Sequence, residues 1–387
     1  MRTTIAAALA CLTLAGPVLG QQTIKVGVIA EFSGPFADYG GQIEAGMKAY
    51  MKEHGDTVAG KKIELVIRDT KGAAPDLAKR FAQELITRDK VQFLAGFGLT
   101  PNAMAVAPVV TEAKIPMIIS NAATSAITAK SPYIARVSMT IPQVSAPMAQ
   151  WALKNGVKQV YTLVADFGPG IDAETQFTKS FKAGGGEIVG SARVPLQAPE
   201  FSAAVQKIKD TKPQAIFVFL PPGEHTIGFS KQFKERGLAE AGIKFLATGD
   251  LTDEHVLDAM GDSTIGMITS FHYASSHDSP ENAAFLKAYA AANDPKIGKP
   301  NFMTVGGYDA MGAIFEVVKK LNGDIDGDKA MEVLKHMKWT SPRGPVAMDP
   351  ETRDIIQTVY IRRVEKKDGK LVNVEFEKFP DVKDPGK

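Results

Sequence analysis

Residues 24–35 read Ile-Lys-Val-Gly-Val-Ile-Ala-Glu-Phe-Ser-Gly-Pro, and this stretch decides how the chain is interpreted. Residues 24–30 are mostly aliphatic, as a buried parallel strand requires. Ser33-Gly34-Pro35 then interrupts the strand, and a helical pattern follows. A strand that leads into a helix through a short Gly/Pro junction predicts the first half of a strand–helix–strand unit.

The same rhythm recurs in two series. Val, Ile and Phe dominate the apolar runs, and amphipathic helical patterns separate them. The predicted strands are residues 24–30, 63–69, 91–95, 117–120 and 134–138, then 160–166, 187–194, 215–220, 244–248 and 265–271. Repeated units of this kind favour right-handed crossovers and open, mostly parallel sheets. The predicted fold class is α/β with two Rossmann-like lobes.

The last third of the sequence departs from this rhythm. Two long helical stretches, residues 280–293 and 304–322, precede a hairpin signal at Asp368-Gly369. The length of 387 residues also favours two domains, since single cores seldom exceed roughly 250–300 residues. The net charge of +2 offers no basic excess for nucleic-acid binding, so no nucleic-acid partner is expected.

Residues 1–20 have the composition of a secretory signal peptide. Arg2 supplies a positive charge, an apolar run follows, and a cleavage site is expected before Gln21. Cys11, the only cysteine, lies inside this segment, and lipid attachment there is the less favoured alternative. The mature chain would then lack cysteine and need no disulfide chemistry in an oxidising compartment.

Five segments, taken in order, resemble one known family. They are Ile24-Lys25-Val26-Gly27-Val28-Ile29-Ala30-Glu31-Phe32-Ser33-Gly34-Pro35 with Tyr39-Gly40, Gly96-Phe97-Gly98-Leu99-Thr100, Ile115-Pro116-Met117-Ile118 with Ala122-Ala123-Thr124, Asp166-Phe167-Gly168, and Ser341-Pro342-Arg343-Gly344-Pro345. Together they resemble the leucine/isoleucine/valine-type periplasmic binding proteins, over about the whole mature chain. Any single segment is weak evidence, but five in register are specific.

The resemblance implies a type I periplasmic-binding-protein fold with ligand in a cleft between two lobes. Three crossovers are expected near residues 139–142, 271–274 and 345–348. Lobe 1 would comprise residues 21–140 plus 274–345, lobe 2 would comprise residues 141–273 plus 346–380, and residues 381–387 would form a tail.

In lobe 1 the candidate ligand contacts follow three strands, where open α/β sheets bind ligands. Thr100 is expected to cap a helix whose first residue is Pro101, and the family binds a ligand carboxylate at this position. Phe97 lies on the same loop. The other lobe 1 candidates are Tyr39, Ala122, Ala123 and Thr124. Plain structural alternatives remain open: helix caps for Thr100 and Thr124, and a packing role for Tyr39.

Lobe 2 supplies candidates with a more apolar character. Phe167 stands where leucine-type proteins often carry tyrosine, which weakens the case for amino-acid recognition. Pro221 belongs to a proline pair that removes backbone donors. Asp250 falls near the acidic residue that pairs with a ligand ammonium, although Gly249 could take that position or Asp250 could serve as a turn residue. Tyr273 is expected near a crossover that lines the cleft.

Enzyme and metal interpretations are less favoured. Gly96-Phe97-Gly98 lacks the third glycine of a dinucleotide fingerprint. Asp166-Phe167-Gly168 matches a kinase triplet without the other kinase motifs. His272, His277 and Asp278 lack metal-ligand spacing. We therefore expect no enzymatic activity, no cofactor and no metal.

The leading functional expectation is a periplasmic solute-binding protein of an ABC importer, acting as a monomer with a permease and ATPase complex. Its ligand would be a small apolar or aromatic carboxylate: a branched-chain amino acid, an aromatic acid or a 2-oxo acid. The alternative is an extracytoplasmic ligand-sensing subunit on the same fold, which would have a signalling partner instead of a permease.

Overall fold

The computed structural model describes residues 23–387. The predicted signal peptide and Cys11 therefore lie outside the described residues. Within residues 23–387, no helix combines the length and the apolar character needed to cross a membrane.

The first sheet has six strands in the order β2-β3-β1-β4-β5-β6. Their bounds are β1 Thr23–Ala30, β2 Thr57–Val58, β3 Lys61–Asp69, β4 Phe93–Gly96, β5 Met117–Ile119 and β6 Ile134–Arg136. All neighbours pair in parallel except the short β2, which pairs antiparallel with β3. Parallel pairing aligns the carboxyl ends of β1, β4, β5 and β6 along one edge, which faces the second sheet.

The second sheet has nine strands, and its path runs β12-β13-β14-β11-β10-β9-β7-β8 with β15 beside β14. Their bounds are β7 Gln159–Ala165, β8 Glu187–Val194, β9 Ala215–Phe219, β10 Lys244–Thr248, β11 Ile268–Phe271, β12 Lys338–Ser341, β13 Gly344–Met348, β14 Ile355–Lys367 and β15 Lys370–Val382. Strands β7 to β11 pair in parallel, whereas β12 to β15 add antiparallel pairs.

Helices cover both sheets. Their bounds are α1 Ala37–His54, α2 Pro75–Thr87, α3 Thr100–Ala113, α4 Ile141–Lys154, α5 Gly168–Ala183, α6 Ser202–Thr211, α7 Glu224–Glu235, α8 Glu254–Met260, α9 Pro280–Ala292, α10 Phe302–Lys320 and α11 Gly327–Lys335. The expected α/β architecture of two lobes with mostly parallel sheets is confirmed. The predicted hairpin is also confirmed, since β14 and β15 meet at Asp368 and Gly369, whose φ angles are 49° and 77°.

Helix α10, although late in sequence, packs on the first lobe. A Cβ atom added to Gly46 of α1 would lie 1.8 Å from the Thr304 carbonyl oxygen, and one added to Gly307 of α10 would lie 2.0 Å from that of Ile43. Only glycine permits so close a crossing of two helix backbones. This contact brings the beginning of α10 to the cleft. The lobe boundaries given above remain a proposal, and β12 and β13 pair with the second sheet.

Candidate ligand site between the two sheets

A small cavity of about 30 Å³ lies where the carboxyl ends of the two sheets face each other. Ligands of open α/β sheets bind at this edge. This volume is well below the ~300–1,000 Å³ range of small-molecule sites, so the lobes must part slightly to hold a ligand here. The lining residues are Tyr39, Gly98, Leu99, Thr100, Asn121, Ala123, Met139, Ile141, Phe167, Pro169, Phe219, Pro221, Pro222, Asp250 and Met303. Both lobes contribute, so a ligand here would contact both.

The polar side of the cavity is built on two threonines. The hydroxyl oxygens of Thr100 and Thr124 lie 3.0 Å apart, and both side chains are buried. Thr100 was expected to cap helix α3, but the helix begins at Thr100 itself and no side chain caps it. The reason is that the hydroxyl bonds to Thr124 rather than to a backbone N–H. The free N–H groups of the first helical turn remain suited to an anion.

Asn121 adds a polar group that the sequence reasoning missed. Its Nδ2 donates to the Gly98 carbonyl at 2.8 Å and so links the loops after β4 and β5. Its Oδ1 is buried and has no hydrogen-bond partner among the described residues. The available signal was its position directly after a predicted strand, where the site was expected.

Arg136 supports the loop after β5 on the side that faces away from the cavity. Its guanidinium is fully buried and donates to the carbonyl oxygens of Ala122 at 2.8 Å and Thr124 at 2.9 Å. Its Nε also donates to Asp354 at 2.8 Å. Because the C=O and N–H of a trans peptide point in opposite directions, the bond to the Ala122 carbonyl directs the Ala123 N–H away from Arg136. Ala123 itself lines the cavity.

Phe97 and Ala122 lie behind the cavity wall rather than in it. Phe97 is fully buried and has a φ of 63°, an uncommon conformation for a bulky residue. Its backbone accepts a hydrogen bond from the Ala122 N–H at 2.8 Å and donates one to the Ile29 carbonyl at 2.7 Å. These bonds fix the two loops to each other. Among the lobe 1 candidates, Tyr39, Thr100 and Ala123 line the cavity. Thr124 lies behind Thr100 and is hydrogen-bonded to it.

The second lobe contributes an apolar wall. The rings of Phe167 and Phe219 lie 6.0 Å apart, within the range of favourable aromatic pairs. Pro169, Pro221 and Pro222 complete the surface. Proline has no N–H, so this wall offers few donors and suits a flat or branched apolar group.

Asp250 is the acidic group of the cavity. It lies in a 3₁₀ turn directly after β10 and is only 5% exposed, and its Oδ2 has no hydrogen-bond partner among the described residues. Burial raises its pKa from 3.8 to about 7. Gly249, the alternative position, is packed against Phe271 and Arg362. The helix cap in this region is Asp253, which accepts from the His255 N–H at 2.9 Å.

Glu31, which the sequence reasoning did not single out, lies just behind the cavity. Its Oε1 accepts a hydrogen bond from Asn102 Nδ2 at 2.7 Å, and a Cβ atom added to Gly98 would lie 2.1 Å from its Oε2. Burial raises its pKa from 4.5 to about 7. Glu31 therefore supports the loop that carries Thr100 without lining the cavity.

The two candidate tyrosines differ in position. Tyr39 lines the cavity, and its hydroxyl lies 3.4 Å from the Pro222 carbonyl across the cleft, while its ring also packs on Phe36 at 5.3 Å. Tyr273 does not reach the cavity. Its hydroxyl donates to Asn282 Oδ1 at 2.9 Å, which holds the ring in the core.

The lobes are closed against each other around the cavity. Asn301, at the beginning of α10, donates from Nδ2 to Asp253 Oδ1 at 3.1 Å. Asp38 Oδ2 lies 2.9 Å from His255 Nε2. Between these points Gly168 approaches Thr124, since an added Cβ atom would lie 2.6 Å from the Thr124 hydroxyl oxygen. These contacts close the cavity on several sides and so limit the access of water to it.

A larger groove of about 830 Å³ lies on the outer side of α1 and α10. It is lined by Tyr50, Tyr308 and Trp339 together with exposed charged side chains such as Glu53. Because the polar groups of this groove face solvent and have partners, it is a poorer candidate for a ligand site than the enclosed cavity between the sheets. Within residues 23–387, no cluster of three His, Cys, Asp or Glu side chains is placed to hold a metal ion.

Comparison with known proteins identifies close relatives. The family model described as "periplasmic binding protein" matches residues 23–370. A Leu/Ile/Val-binding protein homolog 6 of Brucella melitensis is 46% identical, over 98% of this chain and 97% of the relative.

Two solved structures are similar throughout. One is a solute-binding protein of an ABC transporter from R. palustris in complex with 4-hydroxybenzoate, 49% identical with a TM-score of 0.92. The other is a solute-binding protein of an ABC transporter from Rhodopseudomonas palustris BisB5 in complex with 3,4-dihydroxybenzoic acid, 51% identical with a TM-score of 0.89. Each alignment covers 94% of this chain and 99% of the relative. Sequence, fold and cleft agree: this chain belongs to the periplasmic binding protein family.

Proposed function

We propose that this protein is the periplasmic solute-binding component of an ABC importer and that it captures a small aromatic carboxylate by closure of its two lobes. The observation that carries the proposal is the division of one small cavity. Thr100 and Thr124 form a hydroxyl pair at a helix start on one side. Phe167, Phe219 and Pro221 form an apolar wall on the other.

The hydroxyl pair and the helix start suit the carboxylate. Carboxylates accept strong, charge-assisted hydrogen bonds from hydroxyl and N–H donors, and a helix N-terminus adds a favourable dipole. The lining contains no Lys or Arg side chain. The charge of the ligand would therefore be stabilised by oriented donors and, through the loop carbonyls, by the buried cation of Arg136.

The apolar wall suits an aromatic ring better than a polar chain. The Phe167–Phe219 pair offers ring faces and edges at ordinary stacking distances. The two relatives that are about half identical to this chain were solved with hydroxylated benzoic acids, which supports the same ligand class here. Branched-chain amino acids and 2-oxo acids are the other two classes to be compared.

Capture requires the lobes to open and close. The closed contacts at Asn301–Asp253 and Asp38–His255 would break on opening, and bound ligand would favour their formation. The closed form would then be the one that a permease and ATPase complex recognises. No step in this cycle needs bond chemistry, so the proposed role is non-catalytic and needs no cofactor.

A ligand panel tests the proposal. The mature protein, unfolded and refolded to remove bound ligand, is titrated calorimetrically with benzoate, 4-hydroxybenzoate, leucine and 4-methyl-2-oxopentanoate. We expect the aromatic acids to bind most tightly and to raise the melting temperature in proportion to affinity. Tighter binding of leucine or of the oxo acid would contradict the proposed ligand class, and absence of all binding would contradict the proposed function.

Export and partnership are tested separately. The mass of the protein recovered from the periplasm should correspond to a chain that starts at Gln21. A signal peptide cleaved there removes Cys11, whereas a lipid-anchored form would retain it. If the permease and ATPase encoded by adjacent genes transport the bound acid, that result would support import over a sensing role. The mass of the protein in solution tests the proposed monomer.

A further inference from the structure

Asp250 presents an unpartnered oxygen to the cavity. Its Oδ2 is buried without a hydrogen-bond partner among the described residues, and the side chain lines the cavity. A buried polar atom without a partner is costly, so such atoms are few and usually have a functional reason. The nearby Tyr39 hydroxyl lies toward the Pro222 carbonyl.

Arg362 is the buried cation that acts on Asp250, and its hydrogen bonds are made to other groups. Its Nη2 donates to the Gly249 carbonyl at 3.1 Å, and its Nη1 donates to the Tyr273 carbonyl and lies 3.9 Å from Glu254. Burial is the largest influence on Asp250 and raises its pKa to about 7, and the Thr248 hydroxyl, the backbone N–H of Asp250 and then Arg362 offset this rise only in part. Near neutral pH the carboxyl group is therefore divided between its neutral and ionised forms.

A neutral carboxyl group recognises a different ligand group from an ionised one. It is a weak partner for a buried ammonium, which requires a compensating negative charge. It offers one O–H donor and an acceptor, and a hydroxyl group complements both.

We propose that Asp250 selects for a ring hydroxyl group: its carboxyl group hydrogen-bonds a hydroxyl substituent of the aromatic carboxylate held in the cavity. This inference rests on the proposed function and adds the substituent that the site prefers. The other second-lobe residues of the lining, such as Phe167, Phe219 and Pro221, are apolar, and Met303 adds a further apolar surface. Apolar walls discriminate weakly between a ring with and without a hydroxyl, whereas a buried polar group left unpaired discriminates strongly.

Glu31, the other buried acid nearby, is not the selecting group. Its Oε1 is bonded to Asn102 and Thr70, and its Oε2 lies against Gly98, whose backbone separates it from the cavity. Of these two acids, Asp250 lines the cavity, and its Oδ2 is the oxygen that a ligand could reach.

Ligand pairs on the refolded wild-type protein give the first test. Dissociation constants are measured by calorimetry for benzoate, 3-hydroxybenzoate, 4-hydroxybenzoate and 4-methylbenzoate. We expect one hydroxybenzoate to bind at least about tenfold more tightly than benzoate and than the similarly sized methyl compound, since a buried hydrogen bond is gained. Equal binding of benzoate and both hydroxybenzoates, or of the methyl and hydroxyl compounds, would overturn the role of Asp250 and leave the proposed function standing.

Three variants give the second test. Asp250→Leu should bring the benzoate and hydroxybenzoate constants to within about twofold of each other, because the hydrogen bond is lost. Asp250→Asn, which keeps a donor and an acceptor, should retain part of the preference. The control Met303→Ala removes an apolar contact of the same cavity and should weaken both ligands by the same factor. An unchanged preference in Asp250→Leu would overturn the inference, and no binding of any ring acid by the wild type would overturn the proposed function as well.

Discussion

The guanidinium of Arg136 donates a 2.8 Å hydrogen bond to the carbonyl oxygen of Ala122. That bond connects a fully buried cation to the loop that forms one wall of the candidate ligand cavity. The same guanidinium reaches the Thr124 carbonyl and is paired with Asp354. The cation therefore has two separable effects, one on folding and one on the orientation of the loop.

Replacing Arg136 should separate these effects. Arg136→Met leaves the buried Asp354 with only Lys387 and Thr128 as side-chain partners, and we expect a loss of about 3 kcal/mol, the lower end of the effect of breaking a buried ion pair, in the free energy of unfolding. The double variant Arg136→Met with Asp354→Asn removes both charges and should recover much of that loss. Urea unfolding measures both variants.

Ligand affinity should respond differently from stability. The double variant still lacks the donor that holds the Ala122 and Thr124 carbonyls, so we expect its affinity for the aromatic acid to stay at least about tenfold below that of the wild type. If affinity recovered together with stability, Arg136 would act on binding only through folding.

The threonine pair is the second target. Thr100→Val and Thr124→Val each remove one hydroxyl with little change in shape, and we expect each to weaken carboxylate binding about tenfold, since a hydrogen bond to a charged group is lost. Their effects should not add, because the two hydroxyls are bonded to each other at 3.0 Å. Calorimetric titration of both single variants and the double variant checks this.

Thr111→Val is the matched control for the pair. Thr111 lies on the same helix, α3, but its hydroxyl bonds to the Ala107 carbonyl and to Ser131, away from the cavity. The control should change stability without changing affinity. Equal losses of affinity in the control and in Thr100→Val would contradict a ligand contact by Thr100.

The stability of the unliganded protein should depend on pH through Glu31. Burial raises its pKa from 4.5 to about 7 in the folded protein, so the folded state binds the proton more tightly than the unfolded chain does. This contribution is fully present below about pH 4.5 and is lost as pH rises through about 7. At ~1.4 kcal/mol per pKa unit, we expect Glu31 to lower the free energy of unfolding by roughly 3 kcal/mol between pH 4.5 and pH 8.

Glu31→Gln tests this assignment because it keeps the acceptor for Asn102 and removes the ionisable group. Urea unfolding at pH 5 and pH 8 should show a smaller difference in this variant than in the wild type. Glu64→Gln, at an exposed position of β3, is the control and should leave the difference unchanged. An identical pH dependence in Glu31→Gln and wild type would show that the group does not titrate as described.

Much of the site follows from the rule that ligands bind beyond strand ends. Thr100, Ala123, Phe167 and Asp250 all follow predicted strands closely, and the structure places them around one cavity. Local sequence was sufficient there because the strand ends themselves carry the contacts. Tyr273 also follows a strand, but its hydroxyl bonds to Asn282 in the core, which no local pattern indicates.

Other parts of the site depend on long-range packing and could not be read from the sequence. Met303 reaches the cavity because the glycines at 46 and 307 let α10 cross α1 at backbone contact. Arg136 acts through a partner, Asp354, that is distant in the sequence and joined to it only by folding. Nor did the sequence indicate that the hydroxyl of Thr100 would bond to Thr124 instead of capping its helix.

Closure itself can be tested at Gly168, where the two lobes are in contact. Gly168 begins α5 in the second lobe, and an added Cβ atom would lie 2.6 Å from the Thr124 hydroxyl oxygen and 3.4 Å from Thr100 Cγ2, both in the first lobe. Gly168→Ala should therefore resist closure without disturbing either core. We expect weaker ligand affinity by about tenfold or more, since a steric cost of ~1–3 kcal/mol falls on the closed state alone.

The control for closure is Gly41→Ala. Gly41 lies in α1, and an added Cβ atom would have no neighbour within 4 Å, so the variant should bind ligand like the wild type and gain slightly in helix stability. Small-angle scattering with saturating ligand should show a larger radius of gyration for Gly168→Ala than for Gly41→Ala. Equal affinity and equal compaction in the two variants would mean that Thr124 can move aside, and the contact at Gly168 would then not limit closure.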